Sequence, residues 1–172
     1  DERSWLHMID VLGATITGEA WDPALKPNMT FSHPWGAAPS NIIARQILGV
    51  EVDAPGASHV TITPHPASLA WMRGRVPTIR GSVLVDYSAK DKRLHVTLPG
   101  NVSGSVILYA TDFDLGTQIR AIGGGMLTVE SDDAHATITG LSPGTTSIYF
   151  GFLPIPGPKD EELHPVGATD KG

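Results

Sequence analysis

SVLVDYSAKDKRLHVTLPGNVSGSVILY, residues 82–109, is the stretch that decides the fold. Ser82–Asp86, Arg93–Leu98 and Ser105–Tyr109 each alternate apolar with polar side chains, the period of a strand with one face buried and one face wet. Lys90-Asp91-Lys92 and Pro99-Gly100-Asn101 separate them with residues that favour turns.

The same pattern extends in both directions. Val60–Thr63, Met126–Glu130, Ala134–Thr139 and Ser147–Phe152 alternate likewise, with Gly123–Gly125 and Ser142-Pro143-Gly144 as punctuation. Seven or eight such strands predict an antiparallel β-sandwich over residues 54–153. WMRGRVPT, residues 71–78, is interrupted by Gly74 and Pro77 and reads as a junction between the sandwich and what precedes it. Residues 154–172 open with three prolines in five positions and continue charged, the composition of a strap or a disordered tail.

Before the sandwich the period is helical. Trp5, Met8, Ile9 and Leu12 share one face of a helix expected over residues 2–12, which Gly13 stops. A second helix is expected over 40–48, with Ser40 as N-cap, Ile43, Ile47 and Val50 near one face and Gly49 as the break. Ala14–Thr17 reads as a short extended piece. Two short helices and a loop do not enclose a core, so residues 1–53 read as part of a larger helical assembly.

Charge and composition narrow the function. Twelve Lys and Arg stand against eighteen Asp and Glu, a formal charge of −6 with no basic cluster, which argues against a nucleic-acid partner. No apolar run approaches the ~20 residues of a membrane span, so no membrane partner is expected. With no Cys there is no thiolate site, and His59, His65, His95 and His135 fall on or beside different strands without ligand spacing, so no metal and no cofactor are expected. The cysteine-free composition suits a bacterial cytosolic protein and an exported one without bridges equally.

Chemistry concentrates in GEAWDPALKPNMTFSHPWGAAPSNIIARQILG, residues 18–49. Glu19, Asp22 and His33 are interleaved with Trp21 and Trp35 on a Pro- and Gly-rich loop that leads into a helix. Polar groups beside aromatic faces suit a sugar, whose hydroxyls need partners and whose C–H faces need a flat apolar surface. On chemistry alone Glu19 is as readily an acid, a base or a solvated bystander. Asp22 before Pro23 fits a turn as well as a site, and His33 fits a loop residue bonded to a backbone carbonyl.

Three motifs in order, GATITGEAWD (13–22), SHPWGAAPSNIIARQILGV (32–50) and VTITPHPASLAWMRGRVPTIRGSVLVDY (60–87), resemble the end of the bacterial and fungal α-L-rhamnosidases. The resemblance implies that residues 1–53 close an (α/α)6 catalytic barrel and that the C-terminal β-sandwich follows. It implies inverting hydrolysis of an L-rhamnose-containing glycoside, with Glu19 as general base and His33 lining the sugar pocket. Trp21, Trp35 and Asp22 are then substrate-binding candidates, and the general acid belongs to an upstream barrel portion of the same enzyme. The competing expectation is a non-catalytic β-sandwich that binds carbohydrate or scaffolds a neighbour. Helix faces left open favour the barrel piece, whereas faces closed on the sandwich favour the module.

Overall fold

A computed structural model describes residues 2–115 and 118–151. The described residues hold ten strands, most of them the alternating segments: β1 (Val50–Val52), β2 (His59–Ile62), β3 (Trp71–Thr78), β4 (Gly81–Ser88), β5 (Arg93–Leu98), β6 (Ser103–Tyr109), β7 (Arg120–Ile122), β8 (Thr128–Ser131), β9 (His135–Leu141) and β10 (Gly144–Tyr149). They assemble into two five-stranded sheets, ordered β1-β2-β6-β9-β8 and β3-β4-β5-β10-β7. Pairing is antiparallel except between β2 and β6, where His59–Ile62 run parallel to Ser103–Val106. That parallel pair departs from the wholly antiparallel expectation. It forms because the chain passes through the other sheet, in β3 to β5, between the two strands.

The inward residues of each alternation meet between the sheets. Val60, Ile62, Val106, Leu108 and Ile138 from one sheet and Val83, Val85, Leu94, Val96 and Ile148 from the other have no exposed surface and belong to one cluster. Each such side chain contributes roughly 1.5–3 kcal/mol relative to exposure, so the sandwich supplies most of the hydrophobic driving force. At one end Tyr87, Phe113 and Phe150 close the core with their rings 5.2–6.3 Å apart.

Residues 71–78 add a strand to the junction expected there. The segment is a strand, β3, paired with β4 along its whole length from Trp71↔Ser88 to Thr78↔Gly81. Gly74 and Pro77 are tolerated because β3 is an edge, where a missing N–H costs no ladder bond on the open side. Gly74 also has a packing role, since a β-carbon there would stand 2.2 Å from Leu48 Cδ1.

The helical part is shorter and less regular than its pattern predicts. Helix α1 spans Trp5–Asp10, capped by Ser4, whose hydroxyl accepts from the His7 N–H at 3.1 Å, and Gly13 turns the chain at φ +62°. Ala14–Thr17 forms no strand. In place of one helix over 40–48, a 3-10 turn at Pro34–Ala37 leads into α2 (Ala38–Ile42), followed by a π turn at Ile43–Ile47. Ser40 is therefore inside α2 and is not its N-cap. Pro34 and Pro39, which lack the N–H that first-turn positions leave unbonded anyway, start helical structure before Ser40.

Leu48 follows the π turn and is buried against the sandwich, and Gly49 at φ +73° redirects the chain into β1. Thr63 N donates to Gly49 O at 2.8 Å and His65 N to Ile47 O at 3.0 Å, so the end of the helical segment is bonded to the strand region. Elsewhere the segment is open. Among the described residues, eleven of the nineteen large exposed apolar ones lie within residues 2–48, including Leu6, Ile9, Val11 and Phe31. Of the face expected on α1 only Met8 is buried. Among the described residues no helix is long and apolar enough to cross a membrane. The expected tail, 154–172, lies outside the described residues.

Candidate functional site

The loop between α1 and α2 folds back on itself, and Gly36 permits the closest approach. A β-carbon there would stand 2.7 Å from Gly18 O and 2.8 Å from Thr17 Cβ. Two bonds fasten the return: His33 N donates to Thr17 O at 2.9 Å, and Thr17 Oγ1 donates to His33 O at 3.3 Å. A third joins the middle of the loop, from Glu19 N to Thr30 O at 3.0 Å.

This fold-back gathers Glu19, Lys26, Thr30 and His33. Lys26 Nζ forms an ion pair with Glu19 Oε1. Glu19 Oε2 accepts from Thr30 N at 3.0 Å and lies 3.4 Å from Thr30 Oγ1, which in turn is 2.9 Å from His33 Nδ1. The Lys26 bond, then the Thr30 backbone bond, hold the Glu19 carboxyl below the usual glutamate range. Glu19 is thus an anion at neutral pH with one oxygen on an ammonium and the other on a backbone amide. Of its roughly four lone-pair directions, part remains for a water or a ligand.

The other candidates divide between this cluster and a second one. Trp35 stands edge-on to His33 at 5.2 Å and is 85% exposed, so its ring offers a free apolar face. Asp22 accepts from Ala24 N at 2.7 Å, the bond of a local turn, and lies 3.2 Å from His7 Nε2. These two contacts, in that order, lower its pKa, so Asp22 is ionised at neutral pH and cannot donate a proton to a leaving group. Trp21 meets Trp5 edge-on at 5.0 Å, and Trp5 Nε1 donates to Gly36 O at 2.9 Å. Glu19 and His33 are therefore brought together, with Trp35 beside them, while Asp22 and Trp21 are engaged with α1.

A cavity of about 290 Å³ opens beside the loop, lined by Met8, Leu12, Ile16, Met29 and Phe31 among others. None of the five candidate residues lines it. Its apolar walls offer a polyhydroxylated ligand little to bond, so the carboxylate cluster is the better candidate for chemistry. No group of three His, Asp or Glu able to hold a metal occurs among the described residues.

A match to the model of the bacterial alpha-L-rhamnosidase C-terminal domain covers residues 49–122. Residues 49–122 are thus similar to that domain. Two solved structures share the fold of residues 49–122 and of the segment before them. An α-L-rhamnosidase from Dictyoglumus thermophilum aligns with a TM-score of 0.64 at 22% identity, over 84% of this chain and 17% of that one. The Streptomyces avermitilis α-L-rhamnosidase complexed with L-rhamnose aligns with a TM-score of 0.63 at 19% identity, over 85% of this chain and 14% of that one. The chain thus spans about a sixth of the length of these enzymes. No curated protein sequence matches. The rhamnosidase-domain match starts at the Gly49 turn, and every candidate site residue precedes it.

Lys26, Thr30 and His7 were not among the sequence candidates. Their partners lie seven, eleven and fifteen residues away in the chain, in a loop without periodicity, so no spacing rule marks them. The one available signal is the position of Thr30 three residues before His33.

Proposed function

We propose that this chain is the C-terminal part of an inverting α-L-rhamnosidase in which Glu19 is the general base. In this reading residues 1–53 close the catalytic barrel, residues 54–153 are the sandwich, and the general acid stands on an upstream barrel wall. The observation that carries it is the Glu19–Thr30–His33 cluster, an ionised carboxylate beside an imidazole and an exposed indole, placed directly before a rhamnosidase C-terminal domain.

Inverting hydrolysis needs a carboxylate that takes a proton from water on one face of the sugar and an acid on the other, roughly 6.5–9.5 Å away. Glu19 meets the first requirement by being ionised. Asp22, also ionised, does not meet the second. His33 lines the sugar pocket, and Trp35 beside it presents an apolar face to the C–H bonds and the methyl group of the 6-deoxy sugar. The open apolar faces of residues 2–48 also favour a barrel piece, because a free-standing binding module would close them on its sandwich.

The test is Glu19→Gln in the enzyme carrying its upstream part. General-base loss lowers kcat by about 10²–10⁴-fold with KM little changed. Turnover near the parent rate would remove Glu19 from the mechanism.

A further inference from the structure

Cations that are scattered along the sequence are gathered by strand register on one face of the sandwich. In the sheet β3-β4-β5-β10-β7, outward side chains of neighbouring strands stand in rows. One row runs Trp71, Ser88, Arg93, Tyr149, Arg120. Beside it Arg73 stands opposite Asp86, and Arg75 opposite Leu84. Four of the seven arginines of the chain therefore share this face, with no lysine and with Asp86 as the one acid among the outward described residues. The outward strand residues of the other sheet include Glu51 and Glu130 and no Lys or Arg. The sandwich is thus polarised, with a basic face on a chain of formal charge −6.

Arg73 is paired with Asp86, whereas Arg75 and Arg120 are exposed and belong to no ion pair among the described residues. Trp71 ends the row with 69% of its surface exposed. A guanidinium is a planar fork that fits a carboxylate, a geometry the ammonium of a lysine does not offer. An exposed indole suits the C–H face of a sugar ring. Five strands span about 19 Å, a surface for an extended polymer rather than for a single small molecule. A nucleic acid strand, with one charge per ~3.4 Å, is repelled at range by the net negative chain, so a polymer with more widely spaced charges fits better.

We propose that the outward face of β3-β4-β5-β10-β7 binds a carboxylated polysaccharide, with Arg75 and Arg120 bonding sugar carboxylates and Trp71 stacking on a sugar ring. β3, which brings Trp71 and Arg75, is also the strand on which Leu48 packs at Gly74, so the face begins at the sandwich edge joined to the segment of the candidate site. The binding stands on the sandwich and goes beyond the functional reading above; it does not require Glu19 to be the base.

The test is calorimetry with polygalacturonate on the protein with its upstream part. Binding should weaken as salt is added and should be absent with the fully methyl-esterified polymer, which keeps the sugar rings and loses the charge. Arg75→Gln combined with Arg120→Gln should weaken it about tenfold or more, and Trp71→Ala severalfold, with the urea midpoint unchanged because these side chains are exposed. Glu19→Gln should bind as the parent does, so a failed general base and a failed binding face give different results. No binding, equal binding of the methyl ester, or parent affinity in the double glutamine variant would overturn the proposal. Loss of binding in Glu19→Gln would place the polymer at the candidate site and overturn it as well. Single-stranded DNA or polyglutamate held as tightly as polygalacturonate would overturn the assignment to a sugar and leave a surface for nucleic acid or acidic protein.

Discussion

Gly49→Ala tests how the segment carrying the candidate site is fixed to the sandwich. Gly49 sits at φ +73°, where a residue with a β-carbon costs about 1–2 kcal/mol. The new methyl would also stand 1.9 Å from Thr63 O, 2.1 Å from Thr63 C and 2.6 Å from Pro64 N. These are backbone atoms, so no rotamer change relieves the clash; the strands must part, at the 1–3 kcal/mol typical of overpacking, and the 2.8 Å bond from Thr63 N is strained or lost at roughly 1 kcal/mol. Together these come to about 3–6 kcal/mol against docking. Amide hydrogen exchange reads this locally: Thr63 and His65 N–H groups, which bond to Gly49 and Ile47, should exchange about a hundred to ten thousand times faster. Val96 and Val106, at the centre of the sheets, serve as controls that respond only to global unfolding. Unchanged protection at Thr63 and His65 would show that the joint does not depend on this glycine.

Three further outcomes are expected. Ile138→Ala, at a fully buried position, should destabilise the sandwich by about 2–5 kcal/mol in urea unfolding, and a loss under about 1 kcal/mol would place the core elsewhere. The Glu19 carboxyl should titrate by carbon-13 NMR below its ordinary value of about 4.3 and move upward in Lys26→Met; because its folded pKa is lowered, the stability it contributes is present above the unfolded pKa and lost as pH falls through the folded one, so titration at or above the ordinary value contradicts the ion pair. Residues 1–172 alone should cleave no aryl α-L-rhamnoside and should self-associate in light scattering, less so in Ile9→Lys, whereas an active monodisperse monomer would contradict the reading of residues 2–48.

The sandwich was legible because its strands bury one face each, so Val83, Val85, Leu94, Val96, Val106 and Leu108 alternate with polar neighbours and the burial follows the alternation. β1 and β7, three residues each, are too short to show a period, and β3 hides its period behind Gly74 and Pro77, which only an edge strand tolerates. The second helix was legible as apolar spacing. Its start was not, because prolines that suit a first turn outweighed a serine that suits a cap. Within the candidate site, residue types marked Glu19, His33 and Trp35, but the groups that set their charge and orientation, Lys26 and Thr30, reach them by a loop folding back on itself, and that has no one-dimensional signature.

The most direct test of the central claim uses Glu19→Ala in the enzyme with its upstream part, with an activated aryl α-L-rhamnoside and azide. Azide attacks without surrendering a proton, so it replaces a water that has lost its base and needs only the space the missing carboxylate leaves. Turnover, reduced by about 10²–10⁴-fold in the variant, should be recovered with azide, and proton NMR should find the rhamnosyl azide of inverted anomeric configuration. Undiminished turnover in Glu19→Ala, or a product that keeps the substrate configuration, would contradict that claim.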